Sequence, residues 1–491
     1  METLPYDNVR DYKVTIWLLK LLIKEGEVEL NEKELLSVAL CVAMAATALV
    51  GCGSKDDTKD AKKDDNKNNT STEGNKDNGS VYFLNFKPEI ADAYDAVMAA
   101  FTKETGIKAK VVTAAENQYE STLKVEMEKE DAPTLFTING PSGYNTWKDY
   151  CEDLSGTEFY DMLTDKDSTI STSDGVYGIP LVMETYGLIC NKTIFEKYFA
   201  LSGIADTGCT KIEDINSFEK LKKVADDMQA HKAELGIDGV FSEIALNSSN
   251  NWRITNHLFD LPLYYEYQKD NASDKKEIDF SFADQYKAIL DLYMTDSTVS
   301  QKEASTGTVD DSMLEFATGK AAIAQNGVWA WNQINVDGAV VKGDDLYYMP
   351  IYTGAEGEEK QGLCTGTENF VCVNSQASAD DKAASEFFLK WLYSSETGMK
   401  FVSESYGVAP FTGFDNSKAA DANPLVKLAL EDVNNSDTTT VTWVTVTTPS
   451  QDWKDALGEN LLSYAEGGMD WKDVVSQAKD KWASEKAAAN D

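Results

Sequence analysis

Val176-Tyr177-Gly178-Ile179-Pro180-Leu181-Val182-Met183-Glu184-Thr185-Tyr186-Gly187-Leu188-Ile189-Cys190-Asn191-Lys192 is the stretch around which the chain is organised. Gly178-Ile179-Pro180 reads as a turn, because Gly frees the backbone and Pro fixes φ. Residues 181–183 and 186–190 are apolar runs of strand length. One acid, Glu184, stands between them, and a lone carboxylate between buried strands is expensive without a partner. The stretch therefore reads as a crossing from one lobe to another, with Glu184 pointing into the gap.

Upstream, strands alternate with helices. Residues 81–86, 107–112 and 134–138 are strand-like. Residues 90–105 carry apolar side chains at 90, 94, 97, 98 and 101 ahead of Gly106, the spacing of an amphipathic helix with its stop, and 119–129 is a second helix. This alternation predicts an open, mainly parallel α/β sheet, whose ligands bind beyond the carboxyl ends of the strands. The residues there are Asn85, Lys87, Glu116, Asn117 and the run from Asn139 to Tyr144. Downstream, helices are expected over 218–235, 252–261, 282–294, 383–392, 396–405, 452–464 and 471–486, with strands at 243–246 and 370–373. Residues 313–331 read as helix, Gly stop, buried strand, Gly, then two Trp opening a helix.

The 491 residues, 42% of them hydrophobic, suffice for two lobes or more. A formal charge of −38 argues against a nucleic-acid partner and reads as a solvated acidic surface. Two histidines leave little room for imidazole chemistry or a His-based metal site. The seven cysteines are odd in number, form no CxxC pair and announce no disulfide framework.

The N-terminal part is of a different kind. Residues 35–51 are an uncharged apolar run, a secretory signal core rather than a spanning helix. Its end, Leu49-Val50-Gly51-Cys52, resembles a bacterial lipobox, which implies a diacylglyceryl group on Cys52. Residues 52–80 are almost devoid of apolar side chains and read as a disordered tether. Signals begin with a basic segment, yet only Lys33 lies close ahead, so residues 1–34 are expected to be a non-native or unstructured extension.

The chain resembles the extracellular solute-binding proteins of bacterial ABC importers, in the carbohydrate-binding group that includes maltose-binding proteins. Phe101-Thr102-Lys103-Glu104-Thr105-Gly106-Ile107-Lys108 looks like the family's end of helix one. Tyr177-Gly178-Ile179-Pro180 followed by Leu188-Ile189-Cys190-Asn191-Lys192 looks like its first crossing. Phe316-Ala317-Thr318-Gly319-Lys320-Ala321-Ala322-Ile323 with Asn326-Gly327-Val328-Trp329-Ala330-Trp331 is very like a third family segment. The resemblance runs from Val81 to the C-terminus. It implies two α/β lobes that close on a ligand, with crossings near 183–187, 362–366 and 411–414. Lobe one is then 81–182 with 367–410, and lobe two 188–361 with 415–486.

Sugars offer apolar faces to aromatic rings and hydroxyls to carboxylates and amides. The resemblance places Trp329 as a stacking residue, Trp252 and Trp453 as cleft aromatics, Asn250 on a ligand-binding acid and Glu184 on a sugar-binding acid. Trp331 is expected to face the core, and Glu184 reads equally well as a hinge carboxylate paired with a Lys. Asn85, Lys87, Asn139 and Tyr144 join them from the strand ends, and Tyr186 from the crossing. The pattern also departs from maltose-binding proteins: Thr137, Asn139 and Gly140 stand where they keep a Trp and an Asp–Arg pair, and Leu457 where they keep an Arg. The implied ligand is therefore a carbohydrate other than maltose.

Two SxxK matches, Ser121–Lys124 and Ser217–Lys220, lie in expected helices and lack the partner motifs of penicillin-binding enzymes. No other catalytic motif occurs. The reading is a monomeric, non-enzymatic receptor without cofactor or metal, lipid-anchored at the outer face of the cytoplasmic membrane. It takes an oligosaccharide and delivers it to ABC permease subunits. Two alternatives stay open: the same fold serving a peptide or polyamine, and a surface glycoside hydrolase, which needs two carboxylates flanking the bond.

Overall fold

A computed structural model describes residues 79–488. The extension at 1–34, the signal at 35–51, Cys52 and all but the end of the 52–80 tether lie outside the described residues.

The described strands are β1 (Ser80–Asn85), β2 (Lys108–Thr113), β3 (Leu135–Asn139), β4 (Ile170–Thr172), β5 (Gly175–Pro180), β6 (Glu184–Asn191), β7 (Gly239–Phe241), β8 (Ala321–Gly327), β9 (Leu346–Met349), β10 (Gln361–Gly366), β11 (Asn369–Val373) and β12 (Thr439–Thr442). They form two sheets with helices packed on both. The first runs β2-β1-β3-β11-β5-β4, and the second β12-β10-β6-β8-β7, with β9 also paired to β6.

This is the two-lobed α/β architecture expected, with one difference in detail. The sheets are mixed rather than mainly parallel. β1 is parallel to β2 and β3, but β11 runs antiparallel to β3 and β5. In the second sheet β6 runs antiparallel to β8, β9 and β10. Besides β4, which is reversed by its hairpin with β5, the reversed strands β6 and β11 enter a lobe at a crossing. They arrive from the other sheet rather than through a helix on the same face, so the right-handed βαβ connection does not set their direction.

In the first lobe alternate residues serve opposite faces, as the period of a strand requires. Val81, Phe83, Leu135, Val371 and Val373 face one core, closed by Tyr94, Val97, Met98 and Phe101 of helix Ala91–Thr105 and by Phe388 and Leu389 of helix Ala379–Ser394. Leu84, Phe136, Ile138, Phe370 and Cys372 face the other, under Leu123 and Trp147. In the second lobe β6 and β8 are buried along their whole length, so they show no alternation.

The organising stretch differs locally from its sequence reading. Gly178-Ile179-Pro180 is the end of strand β5, not a turn. Gly178 is needed because a Cβ there would lie 2.9 Å from the Phe370 Cβ on β11. The break falls at residues 181–183, and Glu184 opens β6, opposite Gly366 of β10. The chain returns to the first sheet through Thr367 and Glu368, between β10 and β11. Later, Val408 and Phe411 bridge to Met183 and Leu163, while Ala419 and Leu425 belong to the second core. The strand expected at 243–246 instead lies at Gly239–Phe241, and Ala245 there takes φ 53°.

Candidate functional site

A cavity of about 460 Å³ lies between the lobes. From the first lobe, the turn after β1 aims Lys87 into it. The Asn85 side-chain oxygen accepts from the Lys87 N–H at 3.0 Å, and its amide donates to the Lys87 carbonyl at 2.8 Å. Lys87 Nζ then lies 2.6 Å from Glu184 Oε1 and 3.4 Å from Glu89 Oε1. It also stands 5.1 Å from the Trp329 ring centre, a cation–π distance. Burial lowers the Lys87 pKa, but Glu184 and Glu89 outweigh it and hold the ammonium above its usual range. Burial raises Glu184, against the pull of Lys87. One charged group thus ties the first lobe, the crossing strand and the second lobe together.

From the second lobe, Trp329 follows β8. A Cβ on Gly327 would lie 2.1 Å from the indole, so only glycine lets the ring fold back over the strand end. Beside it, residues Arg253–Leu258 form a π-helix that runs into helix Phe259–Asp270. Pro262 lies inside that helix and has no N–H to donate to the Leu258 carbonyl, which fits a wide turn ending there. Thr255, Asn256 and His257 all line the cavity in consequence. Arg253 anchors the turn from below: Nη1 donates to Ser312 Oγ at 3.0 Å and the Gln325 carbonyl at 3.2 Å, and Nη2 to the Glu243 and Ile244 carbonyls, each at 3.2 Å.

The aromatic side is continuous. Trp252 and Trp329 have centroids 6.2 Å apart at 47°. His257 lies 5.3 Å from Trp329 and stacks on Tyr186 at 4.3 Å and 13°. Burial, then Lys454, Lys87 and Arg253, push the His257 pKa far down, so its ring is neutral.

The lobes also bond directly across the cavity. Trp252 Nε1 donates to Glu116 Oε1 at 2.7 Å, and Asn117 Nδ2 to the Ser248 carbonyl at 2.5 Å. Asn256 Nδ2 donates to Glu368. Burial raises the Glu116 pKa, and the Trp252 hydrogen bond opposes it.

Of the residues nominated from the sequence, Trp329, Glu184, Trp252, Lys87 and Asn139 line this cavity. Five others do not. Trp453 is 1% exposed and packs 4.9 Å from Phe259 and 5.1 Å from Trp482, with Nε1 donating to the Ala478 carbonyl. Its helix, Gln451–Ala465, turns the next residue, Lys454, to the cavity instead. Asn250 is buried, accepting from the Val309 N–H at 2.9 Å, and shapes the loop before the π-helix. Asn85 is spent on the turn that orients Lys87. Tyr144 stacks on Tyr177 at 5.1 Å. Tyr186 shares the strand face of Glu184 but lies beneath His257. Trp331 is half-buried against the second core, away from the cavity, as expected.

Sequence reasoning placed Glu116 and Asn117 at a strand end without assigning them a role. It missed Asn256, His257, Glu368 and Lys454. Pro262, directly after the helix expected over 252–261, was a signal for the π-helix, and nothing marked Glu368. The site offers flat rings on one lobe, with carboxylates, amides and ammonium groups on both. That is a recognition surface for a polar solute with apolar faces.

The family described as "Bacterial extracellular solute-binding protein" matches residues 96–428. No curated protein sequence matches the chain. Among solved structures, it is similar to a chitin oligosaccharide binding protein, with 18% identity and a TM-score of 0.65 over 84% of this chain and all of that one. It is also similar to RafE in complex with raffinose (18%, 0.63, covering 83% and 99%). Maltose-bound MalE3 from T. maritima is similar at 16% and 0.60, covering 82% and 98%.

Proposed function

The chain belongs to the bacterial extracellular solute-binding proteins, and from that premise we propose that it captures an oligosaccharide between its lobes and delivers it to the permease of an ABC importer. The observation that carries the reading is the pairing of two cavity-lining indoles, Trp329 and Trp252, with the buried Lys87–Glu184 pair beside them. Indole faces suit the C–H faces of sugar rings, and charged groups suit their hydroxyls. Similarity to structures described with chitin oligosaccharide, raffinose and maltose supports the same class.

A ligand held by both lobes favours the closed arrangement, because it makes contacts there that an open one cannot offer. Micromolar affinity, about 8 kcal/mol, is enough for capture and still permits release. The proposal includes a lipid on Cys52 and a tether over 52–80 that keeps the receptor near its permease. Cys52→Ala is expected to release the protein into the medium, and cell-associated protein in that variant would reject the anchor.

The central test is calorimetric titration against a panel of neutral oligosaccharides. Heat from at least one, with the sugar recovered uncleaved, is expected. Silence toward every sugar, together with heat from a peptide or polyamine, would reject the carbohydrate reading.

A further inference from the structure

Lys454 is 6% exposed, and its side chain lines the cavity. Among the described residues its ammonium has neither a hydrogen bond nor an ion pair; it feels Glu368 and Glu120 only at longer range. A buried ammonium in that condition is costly unless something fills its donor positions. Close by, Asn256 is 4% exposed and gives its amide to Glu368. That bond fixes the side chain and leaves its oxygen, Oδ1, buried without a donor. Helix Gln451–Ala465 packs on the π-helix Arg253–Leu258, and both residues line the cavity from the second lobe. The second lobe therefore presents a donor lacking an acceptor and an acceptor lacking a donor, and the Glu368 carboxylate reaches Asn256 from the other lobe.

We propose that Lys454, Asn256 and Glu368 form a subsite for two adjacent hydroxyls of a neutral sugar ring, so that the ligand is neither aminated nor acidic at that ring. This rests on the carbohydrate reading and narrows it. A carboxylate or phosphate drawn to Lys454 meets the charges of Glu368 and Glu120. An ammonium drawn to those carboxylates meets Lys454. A hydroxyl satisfies both, since it accepts from the ammonium while donating to a carboxylate or amide oxygen. Two neighbouring hydroxyls then use the Lys454 donor, the Glu368 oxygens and Asn256 Oδ1 together.

The test uses the wild-type protein, Lys454→Met and Glu368→Gln in calorimetric titrations. The probes are maltotetraose, cellotetraose, xylotetraose, raffinose and chitotetraose, and, for whichever binds, its aminated and its carboxylated counterpart. The neutral sugar is expected to bind at least about tenfold tighter than either charged counterpart, and Lys454→Met to weaken it by about tenfold or more. The melting temperature of Lys454→Met is expected to be unchanged or higher, because the substitution removes a buried unpaired charge. Glu368→Gln is expected to weaken the same sugar. Wild-type affinity in Lys454→Met, or tighter binding of a charged counterpart, overturns the subsite. Silence of the wild type toward every sugar overturns the carbohydrate reading itself, so the two failures are distinguishable.

Discussion

Lys87 and Glu184 meet at 2.6 Å with side chains only 7% and 6% exposed, one from the turn after the first strand and the other from the strand that enters the second lobe. The acid that stood out between two apolar runs is thus a hinge carboxylate paired with a lysine, and it lines the cavity as well. Burial and ligand access are not alternatives for it.

Removing one partner of such a pair leaves the other buried and unmatched. Lys87→Met is expected to cost about 3 kcal/mol in urea denaturation, and Lys87→Met with Glu184→Gln to recover part of that loss. The sign with pH follows from the raised Lys87 pKa: its contribution is complete below the usual lysine range and is lost only as pH climbs through the higher folded value. An unchanged stability in the single variant would mean that water reaches the pair.

Trp329 and Trp453 separate ligand contact from core packing. Trp329→Ala is expected to weaken oligosaccharide binding by more than about tenfold. Trp453→Phe, which loses the bond to the Ala478 carbonyl inside the second core, is expected to cost about 2 kcal/mol of stability and leave affinity untouched. Affinity loss in Trp453→Phe would return that residue to the site.

Trp252→Phe keeps a ring in the cavity but removes the N–H that reaches Glu116 across the lobes. Affinity is expected to fall by about fivefold to tenfold, with the change in the dissociation rate, because the bond stabilises the closed arrangement rather than the encounter. Stopped-flow fluorescence reads both rates. A slower association with unchanged dissociation would contradict this role.

Much of the architecture was legible because it depends on period and punctuation. Tyr94, Val97, Met98 and Phe101 marked a helix face, and Gly106, at φ 76°, its end. The reading failed where one residue type serves two purposes. Gly178 looked like a turn because glycine is permissive, whereas its missing side chain makes room for β11. The site was harder for a related reason. Lys87 and Trp329 lie next to strand ends and could be anticipated there. Lys454 and Trp453 differ by one residue on a helix, and only the packing of that helix decides which of them meets the cavity. Asn256, His257 and Thr255 share the wall because a π-helix widens the turn, an irregularity that a helical wheel does not contain.

Asp260 sets a further pH dependence. It is fully buried at the start of helix Phe259–Asp270, and one oxygen accepts from the Val444 and Thr445 N–H groups at 2.7 and 3.0 Å. Burial pushes its pKa up to about 7, against the pull of those two N–H groups. Glu243 is pushed up to about 7 as well, by burial and then by Glu315. Both folded values exceed the unfolded ones, so the native protein binds the extra protons between them. The stability these groups lend is complete below about pH 4 and declines as pH rises through about 7, with a slope of up to about 1.4 kcal/mol per pH unit for each group. Asp260→Asn retains an oxygen for the two N–H groups and cannot ionise. Its urea midpoints, measured from about pH 4 to about pH 7, are expected to fall less steeply than those of the wild type, by the share of one proton, with Glu243, Asp296 and the other carboxylates raised by burial supplying the remaining slope. Parallel curves for the two proteins would show that Asp260 is already ionised in the folded state across that range.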